Sequence, residues 1–202
     1  MLEPVQGEGG IHVVDETFVA EARALADEHG ALLVLDEVQT GVGRTGTFFA
    51  FEQLGVRPDA VTLAKGLANG LPIGCLLVAD DAPAGFEPGD HASTFGGNPV
   101  SCAAACAVCD TVDDELLEHV REQGARLAEL LVGLPGVIAV RGRGLLLAAE
   151  LERPAADVVD LCLERGLLVG TAGDQALRIT PPLTIEAQEL DQALAILQEV
   201  LT

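Results

Sequence analysis

The sequence predicts an α/β fold, a sheet covered by helices, followed by a smaller α+β unit. Three observations predict it. Apolar runs of strand length at 31–35, 60–63 and 74–78 alternate with segments of helical periodicity, as in strands joined by helices. Glycine- and proline-marked turns separate them. Beyond Leu134-Pro135-Gly136 the pattern changes to short β segments framing one helix and closing on another. The boundary is placed near residue 110, so that 1–110 form the larger domain and 111–202 the smaller one.

Taken in order, Met1 to Gly10 reads as a strand end running into a glycine-rich loop. It has no preceding element to pair with, so further sequence is expected upstream. Asp15 to Glu28 places Phe18, Ala22, Leu25 and Ala26 at helical spacing and stops at His29-Gly30, a basic last turn followed by a terminating glycine. The unbroken run Ala31 to Leu35 suggests a buried parallel strand, and the sheet is expected to be mostly parallel. Phe48 to Leu54 is expected as a short helix, with Ala60 to Leu63 and Gly74 to Val78 as strands. From Asn98, Ala103, Ala104, Ala105 and Ala107 mark a closely packed helix. Leu116, Leu117, Val120, Leu127 and Leu131 mark an amphipathic one. Then come β segments at 137–140 and 144–151, a helix at 155–165, β segments at 167–170 and 177–180, and a helix at 186–201.

Composition narrows the function classes. Half of the residues are hydrophobic (49%), ample for packed cores. Thirty-two acidic against eleven basic residues leave a net charge of -21, which argues against nucleic acid or an anionic membrane as partner. Only one basic residue, Lys65, is a lysine. Such an acid-rich, lysine-poor surface suits a high-salt cytoplasm, where cations screen self-repulsion, although a GC-rich coding bias yields the same composition. Five cysteines, an odd number, occur without secretory features, and no apolar run approaches the ~18 residues of a membrane helix. The expected location is therefore cytoplasmic, with reduced thiols.

The chemistry-bearing residues follow apolar strands. Asp36-Glu37-Val38-Gln39 stands at the carboxyl end of one run, where open α/β sheets bind ligands. Lys65 stands just beyond the carboxyl end of another. Position alone leaves Lys65 open between a surface lysine and a reactive amine.

Four ordered segments carry a resemblance: Leu2-Glu3-Pro4-Val5-Gln6-Gly7-Glu8-Gly9-Gly10, Leu35-Asp36-Glu37-Val38-Gln39-Thr40-Gly41-Val42-Gly43-Arg44-Thr45-Gly46, Thr62-Leu63-Ala64-Lys65-Gly66 and Thr94-Phe95-Gly96-Gly97-Asn98-Pro99. The chain resembles the class III aminotransferases along essentially its whole length. The resemblance implies the pyridoxal 5′-phosphate (PLP) transferase fold type I, with part of a large domain and a C-terminal small domain. It is greatest to members that move the ω-amino group of N-acetylornithine, or of carrier-bound ornithine or lysine, to 2-oxoglutarate in arginine and lysine biosynthesis. Ornithine and 4-aminobutyrate handling remain open alternatives.

The resemblance also implies roles for particular residues. Lys65 bonds the cofactor aldehyde and shuttles the substrate proton, tasks suited to an amine nucleophile and base. Asp36 faces the pyridine nitrogen and keeps it protonated, preserving the ring as an electron sink. Val38 packs on the ring, and Gln39 hydrogen-bonds its phenolic oxygen. Thr94 reaches the cofactor phosphate of a neighbouring subunit, since relatives are homodimers. Arg178 binds a substrate carboxylate with its planar guanidinium, and Glu8 pairs with that arginine when no carboxylate occupies it. An amino-group carrier protein is a possible partner class by the same resemblance. The family's phosphate-binding loop, ring-stacking aromatic and second carboxylate-binding arginine have no counterpart here, so a catalytically incomplete fragment or an assembly subunit is the alternative. From the residues alone, Arg178 and Glu8 are equally readable as a surface ion pair and a loop carboxylate.

Three other patterns carry less. Gly41-Val42-Gly43-Arg44-Thr45-Gly46 is a formal dinucleotide-type glycine motif, but Asp36 and Glu37 lie just ahead of it, where a pyrophosphate is unwelcome. The apolar strand ending in Asp36-Glu37 resembles an ATPase metal site, yet the chain has no phosphate-cradling G-x-x-x-x-G-K loop. Cys102, Cys106 and Cys109 have cluster-like spacing in alanine-rich helical surroundings, which favours small packing residues over metal ligands. No metal is expected. His12, His29, His91 and His119 are scattered and are read as loop or cap residues.

Overall fold

A computed structural model describes residues 1–83, 85–90 and 92–202, so His91 lies outside the described residues. The elements are β1 (Val5–Gln6), β2 (His12–Val13), α1 (Glu16–His29), β3 (Val34–Asp36), β4 (Ala60–Leu63), β5 (Cys75–Val78) and α2 (Pro99–Thr111). They continue with α3 (Asp114–Val132), β6 (Val137–Arg143), β7 (Leu146–Leu151), α4 (Ala155–Glu164), β8 (Gly170–Thr171), β9 (Ala176–Ile179) and α5 (Ala187–Leu201). Among the described residues, no helix is long and apolar enough to cross a membrane.

The chain forms two compact units, neither of them a single stretch. The first comprises Met1–Pro4, Val14–Val42 and Thr47–Asp113; the second comprises Val5–Val13, Gly43–Gly46 and Asp114–Thr202. A single cut near residue 110 does not separate out these two early segments, whose partners lie 75 to 170 residues further along the chain.

In the first unit α1 is capped at both ends. The Asp15 carboxylate accepts from the Thr17 and Phe18 amides, and Gly30 takes the left-handed conformation (φ 62°) that ends the helix. Only Val19 is fully buried on it, while Phe18 and Leu25, placed by their spacing on the apolar face, are exposed. The sheet has the order β3-β4-β5. β3 and β4 run parallel with Asp36 opposite Thr62, and β5 returns antiparallel to β4. With the parallel bridge of Leu2 on Leu35, the sheet is mostly parallel as expected, and β5 is its one antiparallel return among the described residues. The connection 64–74 holds only one 3-10 turn, too little for the crossover that a parallel return demands.

β3 is also shorter than its apolar run. The Ala31 amide closes the end of α1 on the Ala26 carbonyl, and the Leu33 amide donates to the Asp59 carboxylate at 2.6 Å, so neither joins a ladder. Leu2 supplies a parallel bridge on Leu35. Val42, Val61, Leu63, Leu67 and Ala68 form the core with Ala105 of α2.

The second unit is built on an antiparallel sheet of order β6-β7-β9-β8. Alternation along β7 divides its faces. Leu147, Ala149 and Leu151 pack with Val120, Leu127 and Leu131 of α3, and with α4 and α5. Leu146 and Ala148 pack with Val5 and Ile11, so the β1–β2 hairpin covers the other face. Gly124 lets α3 approach closely: a Cβ there would stand 2.4 Å from the Gly144 carbonyl oxygen.

Candidate functional site

In the first unit the parallel register sets Asp36 at the carboxyl end of β3 and Lys65 just beyond β4. Asp36 is half-buried. Its Oδ1 accepts from the Val38 amide at 3.1 Å and from the Thr62 hydroxyl at 3.0 Å. These two donors fix the rotamer, and among the described residues Oδ2 has no hydrogen bond. That oxygen remains available to a ligand.

The neighbouring carboxylate has the opposite fate. Glu37 is 1% exposed. It accepts from the Thr40 hydroxyl (3.1 Å), the Ala50 amide (2.7 Å) and the Phe51 amide (2.9 Å). Burial pushes its carboxyl up from the ordinary range, against the opposing pull of these donors. Glu37 thereby ties the turn carrying Val38 and Gln39, both half-buried, to the start of the 3-10 turn Ala50–Gln53. Phe49 packs against Phe48 and Phe51 at 4.9 and 5.2 Å between ring centroids, so these aromatics are engaged with one another.

Lys65 is exposed and adopts a positive φ of 39°, uncommon for a side-chain-bearing residue. It opens the 3-10 turn Lys65–Ala68, whose Leu67 and Ala68 are buried in the core, so its backbone is held from below. In a chain with 32 acidic residues, Lys65 makes no ion pair or hydrogen bond among the described residues. Thr94 is exposed in the segment before α2, which Asn98 caps, and makes no hydrogen bond to Asp36 or Lys65.

In the second unit Arg178 lies on β9, opposite Ala148 of β7 and Gly170 of β8. Its Nη1 donates to Glu8 Oε1 at 2.5 Å. The Glu8 side chain is 72% exposed and that of Arg178 24%, so the guanidinium is the more enclosed partner and the carboxylate the more solvated one. The two residues are 170 positions apart, brought together by the hairpin folding onto the sheet.

The glycine motif 41–46 is used for packing. The Gly41 amide bonds to the Glu37 carbonyl just ahead of the motif, and the Gly46 amide to the Gly43 carbonyl within it. Arg44 donates to the Leu145 and Pro181 carbonyls at 3.1 and 2.5 Å, and Arg121 donates to the Gly46 carbonyl. Burial lowers the pKa of Arg44. Cys102, Cys106 and Cys109 all lie on α2, and no group of residues able to hold a metal occurs among the described residues. The roles of Glu37 and Arg44 were not anticipated. Glu37 has one sequence signal, adjacency, since only one of two consecutive carboxylates can face a cleft; Arg44 has none, because the carbonyls it serves are 101 and 137 residues away.

A lysine and a carboxylate presented at the ends of neighbouring parallel strands are joined by a family-level match: the model of Aminotransferase class-III fits residues 1–201, and the chain belongs to that family. Among its relatives, an acetylornithine aminotransferase of Gloeobacter violaceus is 51% identical over 207 residues, spanning 99% of this chain and 52% of its own. One of Aquifex aeolicus is 45% identical, spanning 100% of this chain and 53% of its own. The chain thus spans about half the length of the curated relatives it matches. Solved structures agree on the fold type. The ornithine aminotransferase of Toxoplasma gondii superposes with a TM-score of 0.90 at 35% identity, over 98% of this chain and 50% of that one. The N-acetylornithine aminotransferase of Stenotrophomonas maltophilia gives 0.87 at 37%, over 98% and 55%.

Proposed function

We propose that this chain carries the lysine-bearing half of a PLP-dependent transfer of the ω-amino group of N-acetylornithine, or of carrier-bound ornithine or lysine, to 2-oxoglutarate. The observation that carries the reading is a Lys65 side chain without a partner among the described residues, one strand over from the half-satisfied Asp36. A positively charged ring nitrogen suits Asp36 Oδ2, which lacks a donor among the described residues while Oδ1 has two. An aldehyde suits an amine with no competing carboxylate. The residues present therefore fit the cofactor. When bound, PLP withdraws electrons from the substrate carbon, so that its proton can leave.

Lys65 Nζ takes that proton and returns it at the neighbouring carbon. Asp36 holds the ring nitrogen in its protonated form, its orientation kept by Thr62 and Val38. Val38 packs on the ring face, Gln39 donates to its phenolic oxygen, and Thr94 serves the phosphate of the other subunit in a homodimer. Arg178 binds the distal carboxylate of 2-oxoglutarate or glutamate, and Glu8 covers Arg178 while the ω-amino donor is bound. In this reading residues 1–110, apart from the segments 5–13 and 43–46, supply the cofactor domain, and 111–202 with those segments supply the small domain of a cytoplasmic enzyme adapted to high salt.

A second reading, a chain that assembles or binds without catalysing, draws on the half-length span relative to the curated family members. One experiment decides between them. Protein incubated with PLP, reduced with borohydride and peptide-mapped is expected to carry the pyridoxyl mass on Lys65 and to lose it in Lys65→Ala. Absence of the label, or its persistence in the variant at another site, overturns the proposal.

A further inference from the structure

The β1–β2 hairpin crosses one face of the four-stranded sheet, and two arginines of that face hold it. Arg141 of β6 stands opposite Ala148 of β7, which stands opposite Arg178 of β9, which stands opposite Gly170 of β8. Directly opposed residues share a face, so the row reads Arg, Ala, Arg, Gly, with small residues leaving room above the sheet for both guanidinium groups. Arg178 reaches Glu8. Arg141 donates through Nε to the Gly10 carbonyl at 2.6 Å and pairs through Nη1 with Glu150 at 2.7 Å.

The two clips differ in kind. Arg141 and Glu150 are 23% and 25% exposed, and their bond to the loop falls on a backbone carbonyl. Glu8, by contrast, offers a largely exposed side chain. Gly7, Gly10 and Ile11 are buried while Glu8 and Gly9 are exposed, so the loop is embedded at both ends and reaches solvent at its tip. Gly10 has φ 113°, and a Cβ there would stand 2.8 Å from the His12 ring and 3.3 Å from Arg141 Nη2. Ile11 follows at φ 58°, a strained value for a β-branched residue, with its side chain fully buried. A charged donor on the preceding carbonyl is what such a backbone needs to stay in place.

We propose that Arg141, braced by Glu150, is a positioning residue: it anchors the Gly10 carbonyl and so sets the distance at which Glu8 can leave Arg178 and return to it. This rests on the substrate-gating role given above to Glu8 and Arg178. Without the anchor the loop tip wanders, and Arg178 stays uncovered when the ω-amino donor binds. The anchor therefore acts on one half-reaction and not on the other.

Two variants test it: Arg141→Lys, which keeps the charge but not the fork, and Arg141→Met combined with Glu150→Met, which leaves no unpaired charge behind. Hydrogen exchange on the chain should rise about tenfold at residues 7–11 in both, a factor in keeping with one lost charge-assisted hydrogen bond, with β7 and β9 unchanged. In the cofactor-loaded protein, kcat/KM for the ω-amino donor should fall by a similar factor while KM for 2-oxoglutarate does not rise. Unchanged exchange at 7–11 overturns the anchor, as does an equal loss in both half-reactions. A parent protein that performs neither half-reaction refutes the functional reading instead, and the exchange measurement still decides the anchor.

Discussion

Replacing Gly124 by alanine sets two known effects against each other. Alanine in the interior of α3 gains about 1 kcal/mol of helix propensity over glycine. The new methyl, however, would lie 2.4, 2.5 and 2.8 Å from the oxygen, carbon and Cα of Gly144. Nonpolar contacts are favourable near ~3.5–4.0 Å, so α3 or the Gly144 turn must retreat by roughly 1 Å. All three atoms are backbone, so no rotamer change relieves the overlap. The retreat loosens α3 against the sheet, where Val120, Leu127 and Leu131 are fully buried. Overpacking of this kind costs about 1–3 kcal/mol, and contact with backbone puts it near the upper end. The net loss is about 2 kcal/mol, which for a chain of this size is a fall in Tm of roughly 4–8 °C. Thermal melts followed by circular dichroism measure it, with Gly133→Ala as control because its nearest neighbour is 3.6 Å away, an ordinary contact. If Gly124→Ala melts with or above the parent, the close approach of α3 to the turn is wrong.

Glu37 carries a raised carboxyl pKa, chiefly from burial, so the folded state retains a proton that the unfolded chain has released. Its contribution is full at low pH and declines as pH rises from about 4.5 through the folded value, so the deficit of Glu37→Gln against the parent should shrink over that window in urea melts. Asp59 runs the other way. The hydrogen bond from Arg23 at 2.7 Å holds its pKa below 3.8, so the stability it adds is present above that value and lost as pH falls below it. Asp59→Asn should cost about 1–2 kcal/mol at pH 7 and nothing further in acid. With a net charge of -21, the Tm should rise between dilute and molar potassium chloride, and melts that do not move would count against the high-salt reading.

Local chemistry made much of this legible. The caps of α1 at Asp15 and Gly30 and of α2 at Asn98 depend on residues within a few positions of one another. Asp36 and Lys65 stood out because each follows an apolar run, and charge at a strand's carboxyl end has few structural uses. The rest depended on distant partners. Nothing near Leu33 announces that its amide is taken by Asp59, which trims the strand. The exposure of Phe18 and Leu25 contradicts a periodicity that is correct for a helix but silent on what covers it. Glu8 and Arg178 were paired only through resemblance, since no local pattern links residues that far apart. The direction of β5 follows from the short connection 64–74, which is too short for a parallel crossover.

The assembly of the second unit from an early hairpin and a late sheet has a consequence for biosynthesis. Glu8 and Arg178 are separated by 170 residues. At a ribosomal pace of ~5–20 residues per second, roughly 8–34 s pass between them. For most of that interval Val5 and Ile11 lack the sheet surface they bury against in the finished unit, because Leu146 and Ala148 are made late in it and Ala176 at its very end. The nascent chain therefore presents an unsheltered apolar hairpin to chaperones until β7 and β9 emerge, and only then can the hairpin close onto them.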